Sequence, residues 1–309
     1  NTVEEIEEES DQMDRVIVVG NIDVDIIAGP VDDWPEWGTE IGVDSIEMRI
    51  GGQAANTAVV LADLGVPVDI VTVAGNDLFG KTFKERFKDM GVSVEGFDLI
   101  QGRTPCTVAI THIDSERSFI SNETIMHHLD VDFVENKLTG VEGAHILFCG
   151  INVLNGLRES NLQTLLEALR KENTIYLDPG WPPDGWSLFR IQIQRLLDSV
   201  DWFMPNEAEL MEATNQSTIE AATETYLEDY EGQAMVKMGS KGSLMIGREN
   251  SRLYPTAESK NVLDTIGAGD SFNAGFIYSN SSNGEPDIDF AHRVARDWIE
   301  GRYRSKIMI

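Results

Sequence analysis

The stretch Asp264-Thr265-Ile266-Gly267-Ala268-Gly269-Asp270-Ser271-Phe272 sets two glycines ahead of an apolar repeat (Phe272, Ala274, Gly275, Phe276, Ile277) that reads as the opening of a helix. Glycines let the backbone approach a ligand closely. The first turn of a helix offers unpaired N–H groups and the positive end of its dipole, and together these make an anion site that needs no Lys or Arg. Asp270 is out of place there, because a carboxylate repels a resting anion. It reads either as a helix cap or as an acceptor for a proton leaving a hydroxyl that attacks a bound phosphoryl group.

Working outward, Gly51-Gly52 opens a second glycine loop, followed by Ala55, Ala58, Val59 and Ala62 at helical spacing up to a stop at Gly65. Val16 to Val19 is a short apolar run closed by Gly20-Asn21, the pattern of a strand covered on both faces. A strand at Val68 to Val73 and a helix from Gly80 to Met90 follow. The same alternation returns with strands at Ala144 to Cys149, Thr174 to Asp178, Trp202 to Met204, Ala234 to Met238 and Gly242 to Ile246. Helices are expected at Glu159 to Lys171, Ile191 to Leu197 and about 218 to 231, then from Ala268 and from about Asp289. This rhythm predicts an α/β fold with a doubly wound, mostly parallel sheet.

The rhythm breaks at about 98–124, where Thr107 to His112 and Arg117 to Ser121 read as a hairpin around Asp114-Ser115-Glu116. With the Pro- and Trp-rich segment at about 27–48, it is expected to form a small antiparallel β lid on one main domain spanning 16–309. Trp34 and Trp37 would either shield a ligand or pack the lid.

The 309 residues carry 24 Lys+Arg against 53 Asp+Glu, a formal charge of -29, which disfavours nucleic-acid and membrane partners because both need a basic face. The 41% apolar content and 12 Phe are enough for a large core, so the acidity does not mean disorder. An acidic tail, residues 1–15, contributes -6 of that charge; the rest is spread over the globular part, as in a surface selected for high salt or in an ordinary acidic cytosolic protein. Cys106 and Cys149 sit in apolar runs and are expected to be reduced. With no apolar run near the length of a membrane span and an acidic N-terminus, a cytoplasmic protein is expected.

DTIGAGDSFNAGF at 264–276 resembles the C-terminal signature of the ribokinase-like sugar kinases, the phosphofructokinase-B family, and GGQAANTAVVLADLG at 51–65 resembles the N-terminal one. GNIDVDI at 20–26, PNEAEL at 205–210, VKMGSKGSL at 236–244 and FAH at 290–292 agree, so the resemblance covers nearly everything after residue 15. It implies an ATP-dependent kinase that phosphorylates a primary hydroxyl of a sugar or sugar derivative. Asp270 would be the general base, with the amides of Gly267, Ala268 and Gly269 stabilising the transferring phosphoryl group.

The resemblance further implies that Asp25, Gly51, Gly52 and Asn56 hold acceptor hydroxyls, Asp25 being preferred over Asp23. Asn206 and Glu209 would organise Mg2+ through water, and Asp264 would border a monovalent cation such as K+. Lys237, Gly239, Gly242 and His292 fall on the nucleotide side. Asn152 stands nearest to the place where ribose-using members carry an acid, which makes ribose itself a questionable acceptor. Arg103, at the base of the hairpin, would meet an acidic sugar or remain solvated. The polar C-terminus after Ala291 departs from the family pattern and leaves the nucleotide base open. A homodimer through the lid is expected from its free sheet edge. Two alternatives stand beside the sugar kinase: a nucleoside kinase of the same family, and a non-catalytic nucleotide-binding paralogue.

Overall fold

The computed structural model describes residues 14–34, 36–113, 117–122, 125–158, 161–259 and 261–309; most of the acidic tail and the 114–116 turn lie outside the described residues. The strands are β1 (Val16–Val19), β2 (Asp23–Val31), β3 (Ser45–Gly51), β4 (Val68–Gly75), β5 (Phe97–Ile100), β6 (Cys106–His112), β7 (Arg117–Asn122), β8 (His145–Cys149), β9 (Thr174–Asp178), β10 (Trp202–Phe203), β11 (Gln233–Lys237), β12 (Ser243–Ile246) and β13 (Ser251–Tyr254). The helices are α1 (Gln53–Asp63), α2 (Leu78–Asp89), α3 (Val131–Leu138), α4 (Asn155–Arg158), α5 (Leu162–Leu169), α6 (Trp186–Leu196), α7 (Glu207–Thr214), α8 (Ile219–Asp229), α9 (Ala268–Asn283), α10 (Ile288–Ile299) and α11 (Arg304–Ile307).

Nine strands form the main sheet in the order β13-β12-β11-β10-β9-β8-β1-β4-β5, parallel from β5 to β11 and antiparallel at β12 and β13. Because strand side chains alternate, Val16 and Val18 enter one core with α1, α2, α9 and α10, while Ile17 and Val19 enter the other with α3, α5, α6, α7 and α8. The sheet is doubly wound, as expected. From β1 the chain runs first to β4 and β5 and then returns to β8 on the other side, so the crevice at the C-terminal ends of β1 and β8 is the topological switch point where such sheets receive ligands.

The second sheet has the order β3-β2-β6-β7; its β2–β3 and β6–β7 pairs are antiparallel, as expected of the lid, and β2 and β6 at its centre run parallel. They must, since the chain enters both strands from the same end of the main sheet and a whole βαβ passage separates them. Phe97–Ile100, at the start of the expected lid segment, is instead the edge strand of the main sheet. The pairings Asp23↔Gly51, Asp25↔Arg49 and Asp25↔Thr107 put one polar face of the small sheet over the switch point. The opposite face carries Ile26, Ala28, Ile46, Met48, Val108 and Ile120 by the same registers.

Candidate active site

Gly267 is the N-cap of α9, and Asp270 is the third residue of the helix, in its first turn. Its carboxylate is buried and its Oδ2 accepts from Asn56 Nδ2 at 2.8 Å, joining the two glycine loops, which are 214 residues apart in sequence. Thr57 Oγ1 donates to the Asp270 carbonyl at 3.3 Å. Burial first, and then the neighbouring Asp178 carboxylate, push the Asp270 carboxyl up to about 7, against the pull of Asn56, Lys237 and Gln53. A carboxyl poised there can hold or release a proton near neutrality, which a mere cap has no need to do.

Lys237, at the end of β11, ion-pairs with Asp178 at the end of β9, and Asn273 Nδ2 donates to the same Asp178 oxygen at 2.6 Å. The Lys237 stem passes 3.6 Å from where a Cβ at Gly269 would sit, so its ammonium faces the start of α9 and not a distant base pocket. Burial works against the ammonium, but Asp178, Glu209 and Asp270 prevail and hold it protonated above its usual range. Asp178, Glu209 and Asp270 thus surround one lysine, but no three acidic, His or Cys side chains among the described residues are grouped to ligate a metal ion directly, so any divalent ion here would be held through water.

Asn206 caps α7: its Oδ1 accepts from Glu209 N–H at 2.9 Å, while Glu209 Oε2 accepts from Asn206 N–H at 2.8 Å. This reciprocal box fixes both side chains on the active-site side of the sheet. Glu209 is buried, and burial followed by Asp178 pushes its carboxyl up to about 7.

The loop before α9 is held by residues that local pattern did not reveal. The Ala268 N–H donates to Thr265 O at 3.2 Å and closes the turn. Gly267 has φ 87° and a Cβ there would meet the Trp298 ring at 2.5 Å; the same indole donates to Ile266 O at 2.6 Å. Trp298 lies in the polar C-terminus, where an isolated Trp among charges on a helix was the available signal. Asp264 Oδ1 accepts from Ile266 N–H at 2.9 Å and Oδ2 from buried Arg49 at 2.6 Å.

On the acceptor side, a Cβ at Gly51 would fall 2.3 Å from Asp25 Cγ and 2.6 Å from Asp23 Oδ1, so both aspartates converge on this glycine. Asp23 also accepts from Thr107 Oγ1 at 2.9 Å, and Asp25, raised by burial despite Arg49 beside it, is the more enclosed of the two. Gly52 starts α1 by accepting Asn56 N–H at 3.0 Å. The floor is made of amides. A side chain at Gly150 would run into Asn21 Oδ1 at 2.2 Å, and one at Gly180 into Asn152 Oδ1 at 2.4 Å and Gln53 Oε1 at 3.0 Å. Asn152 Nδ2 donates to Trp181 O at 2.9 Å, and both Asn21 Oδ1 and Asn152 Oδ1 are buried with no donor among the described residues.

Among the described residues, Arg103 makes no contact with this cluster. It is exposed in the loop between β5 and β6, while its neighbour Thr104 is anchored by Asp77 at 2.8 Å. Trp34 and Trp37 are likewise exposed. Gly239 opens a short turn after Lys237, and Gly242 packs so tightly that a Cβ would meet Tyr254 O at 2.0 Å. His292 is buried on α10, with Nε2 3.0 Å from Ser243 Oγ and its ring beside Phe272; burial lowers its pKa and keeps it neutral.

The pfkB family carbohydrate kinase model matches residues 13–296. The chain belongs to that family. It is therefore a phosphotransferase, a sugar kinase by family. A nucleoside kinase of Methanocaldococcus jannaschii is 25% identical over 268 residues, covering 86% of this chain and 83% of that protein. A ribokinase of Lactococcus lactis is 27% identical over 276 residues, covering 88% and 85%. The solved structure of Arabidopsis thaliana ribokinase, complexed with ribose and ATP, superimposes with a TM-score of 0.70 at 25% identity, covering 92% of this chain and 90% of that one.

Proposed function

We propose that this kinase transfers the γ-phosphoryl group of ATP to a hydroxyl of a neutral, hydroxyl-rich acceptor, a sugar or sugar derivative, with Asp270 as general base. The observation that carries the reading is Asp270 itself, buried in the first turn of a glycine-led helix with its carboxyl pushed up to about 7. The presence of ATP and ribose in the similar Arabidopsis ribokinase supports the choice of donor and acceptor class.

The chemistry follows from the residues. Asn56 holds Oδ2 of Asp270, leaving the carboxylate to take the hydroxyl proton as the oxygen attacks phosphorus. The Gly267 and Gly269 amides at the helix terminus and the Lys237 ammonium would face the charge that spreads over the phosphoryl oxygens in the transition state, while the Ala268 N–H is already given to Thr265 O. Mg2+, which Asn206 and Glu209 would hold through water with Asp178 nearby, would neutralise the donor phosphates. Gly239, Gly242 and His292 would line the nucleotide side, and Asp25, Gly51, Gly52, Asn56 and Asn152 the acceptor.

Acceptor chemistry follows from the floor of the crevice. Asn21 and Asn152 present buried oxygens that lack donors, which hydroxyls satisfy and a carboxylate or phosphate would not. Arg103 is exposed in the loop between β5 and β6, and turnover of a sugar acid would be needed to bring it into the acceptor site. The similar Methanocaldococcus jannaschii nucleoside kinase favours a second reading in which the neutral acceptor is the ribose of a nucleoside. We also propose a homodimer through the small sheet, whose outer face exposes Ile46 and Ile120 at 67% and 60%.

The test is ATP consumption across pentoses, ketohexoses, sugar acids and nucleosides. Turnover is expected with a neutral polyol or nucleoside. Turnover confined to sugar acids would refute the acceptor reading, and ATP binding with no acceptor used would point to a non-catalytic paralogue.

A further inference from the structure

Arg49 sits at the seam between the small sheet and the loop before α9, and its side chain is only 5% exposed. Its Nη1 donates to Asp264 Oδ2 at 2.6 Å and its Nε stands 3.5 Å from Asp25 Oδ2, the residue directly across from it in the β2–β3 register. Asp264 in turn holds Ile266 N–H at 2.9 Å, and Ile266 leads into Gly267, which starts the helix bearing Asp270. A continuous chain of contacts therefore runs from an acceptor-side carboxylate to the phosphate loop, with one guanidinium at its centre. Two carboxylates drawn into the interior repel each other and lose hydration unless a fixed cation stands between them. A planar guanidinium with several donors can meet both at once, and a lysine can do so only as a point charge.

The family resemblance assigned a monovalent ion to Asp264. The donor set does not fit one at this carboxylate, because one oxygen is met by a guanidinium and the other by a backbone N–H, and an approaching cation would face the charge of Arg49. We propose that Arg49 is a positioning residue that supplies this positive charge from within the chain, setting the phosphate loop without a monovalent ion and tying it to the acceptor strand. The inference rests on the kinase reading above.

The experiment is MgATP binding by titration calorimetry, together with Tm, in potassium chloride and in tetramethylammonium chloride at equal ionic strength. It is run on the wild type, Arg49→Lys and Arg49→Gln. Wild type is expected to bind MgATP with the same affinity in both salts. Arg49→Gln is expected to lose affinity by roughly 5-fold or more in tetramethylammonium, a typical coupling between linked sites, while Arg49→Lys keeps most of it. A merely structural arginine would lower Tm without this split between variants. Wild-type affinity that rises about tenfold in potassium, or Arg49→Gln binding as wild type does, overturns the proposal. Should Arg49→Gln fail to fold, the wild-type salt comparison and Arg49→Lys still decide it. A wild type that binds no MgATP in either salt contradicts the kinase reading instead, so the two failures are distinct.

Discussion

At the scale of single residues, the site depends on a carboxyl group kept away from water. A base is active only when deprotonated, so kcat/KM is expected to rise with pH through about 7, where burial and Asp178 place the Asp270 carboxyl. Asn56 stabilises the charged form through its 2.8 Å hydrogen bond, so Asn56→Ala should move that limb to higher pH; a pH–rate profile that does not move would contradict the assignment. The same shift acts on stability. Folded Asp270 binds its proton more tightly than the unfolded chain does, so its contribution is fully present below about 3.8 and is lost as pH rises through about 7. The glycines and Asp270 were legible in the sequence because a helix start is a local signal. Asp178, Gln53, Asn21 and Arg49 were not, since each reads locally as a strand end or a surface polar residue and acquires its role only through distant partners.

At the scale of elements, α10 braces the loop before α9 from behind. Trp298→Ala removes the ring against Gly267 and the donor to Ile266, and it should cost roughly 3–5 kcal/mol of stability as a large buried side chain. Gly267→Ala drives a Cβ to 2.5 Å from that ring at a φ of 87°, so it should weaken MgATP binding and turnover together. Thermal melting and ATP titration check both, and a Gly267→Ala enzyme with native kinetics would show that the loop tolerates displacement. The main-sheet strands were readable because buried parallel strands are near-continuous apolar runs. Helices α3 and α7 were not, because their short amphipathic patterns are diluted by charges. The parallel pairing of β2 and β6 was illegible because strand direction depends on where the chain re-enters the sheet.

At the scale of the whole molecule, two surface properties separate from the chemistry. The charge of -29 means that self-repulsion opposes the compact state and is screened by salt, so Tm is expected to rise between low and molar potassium chloride. A Tm that falls with salt would remove a high-salt role for the acidic surface. The apolar outer face of the small sheet is expected to pair with a second copy, so Ile120→Lys should convert dimers to monomers in sedimentation velocity; a wild type that is monomeric at micromolar concentration would contradict the dimer. In the proposed mechanism the acidity would not obstruct a kinase of anionic ATP, because the phosphates would meet a helix terminus, Lys237 and a divalent ion in a crevice set apart from the surface.

The most direct measurement is phosphoryl transfer by Asp270→Asn beside its MgATP affinity, with the best acceptor from the screen. The expected result is ATP affinity close to wild type with kcat reduced by about 10²–10⁴-fold, the usual range for a lost general base. Undiminished turnover in that variant would remove Asp270 from the mechanism.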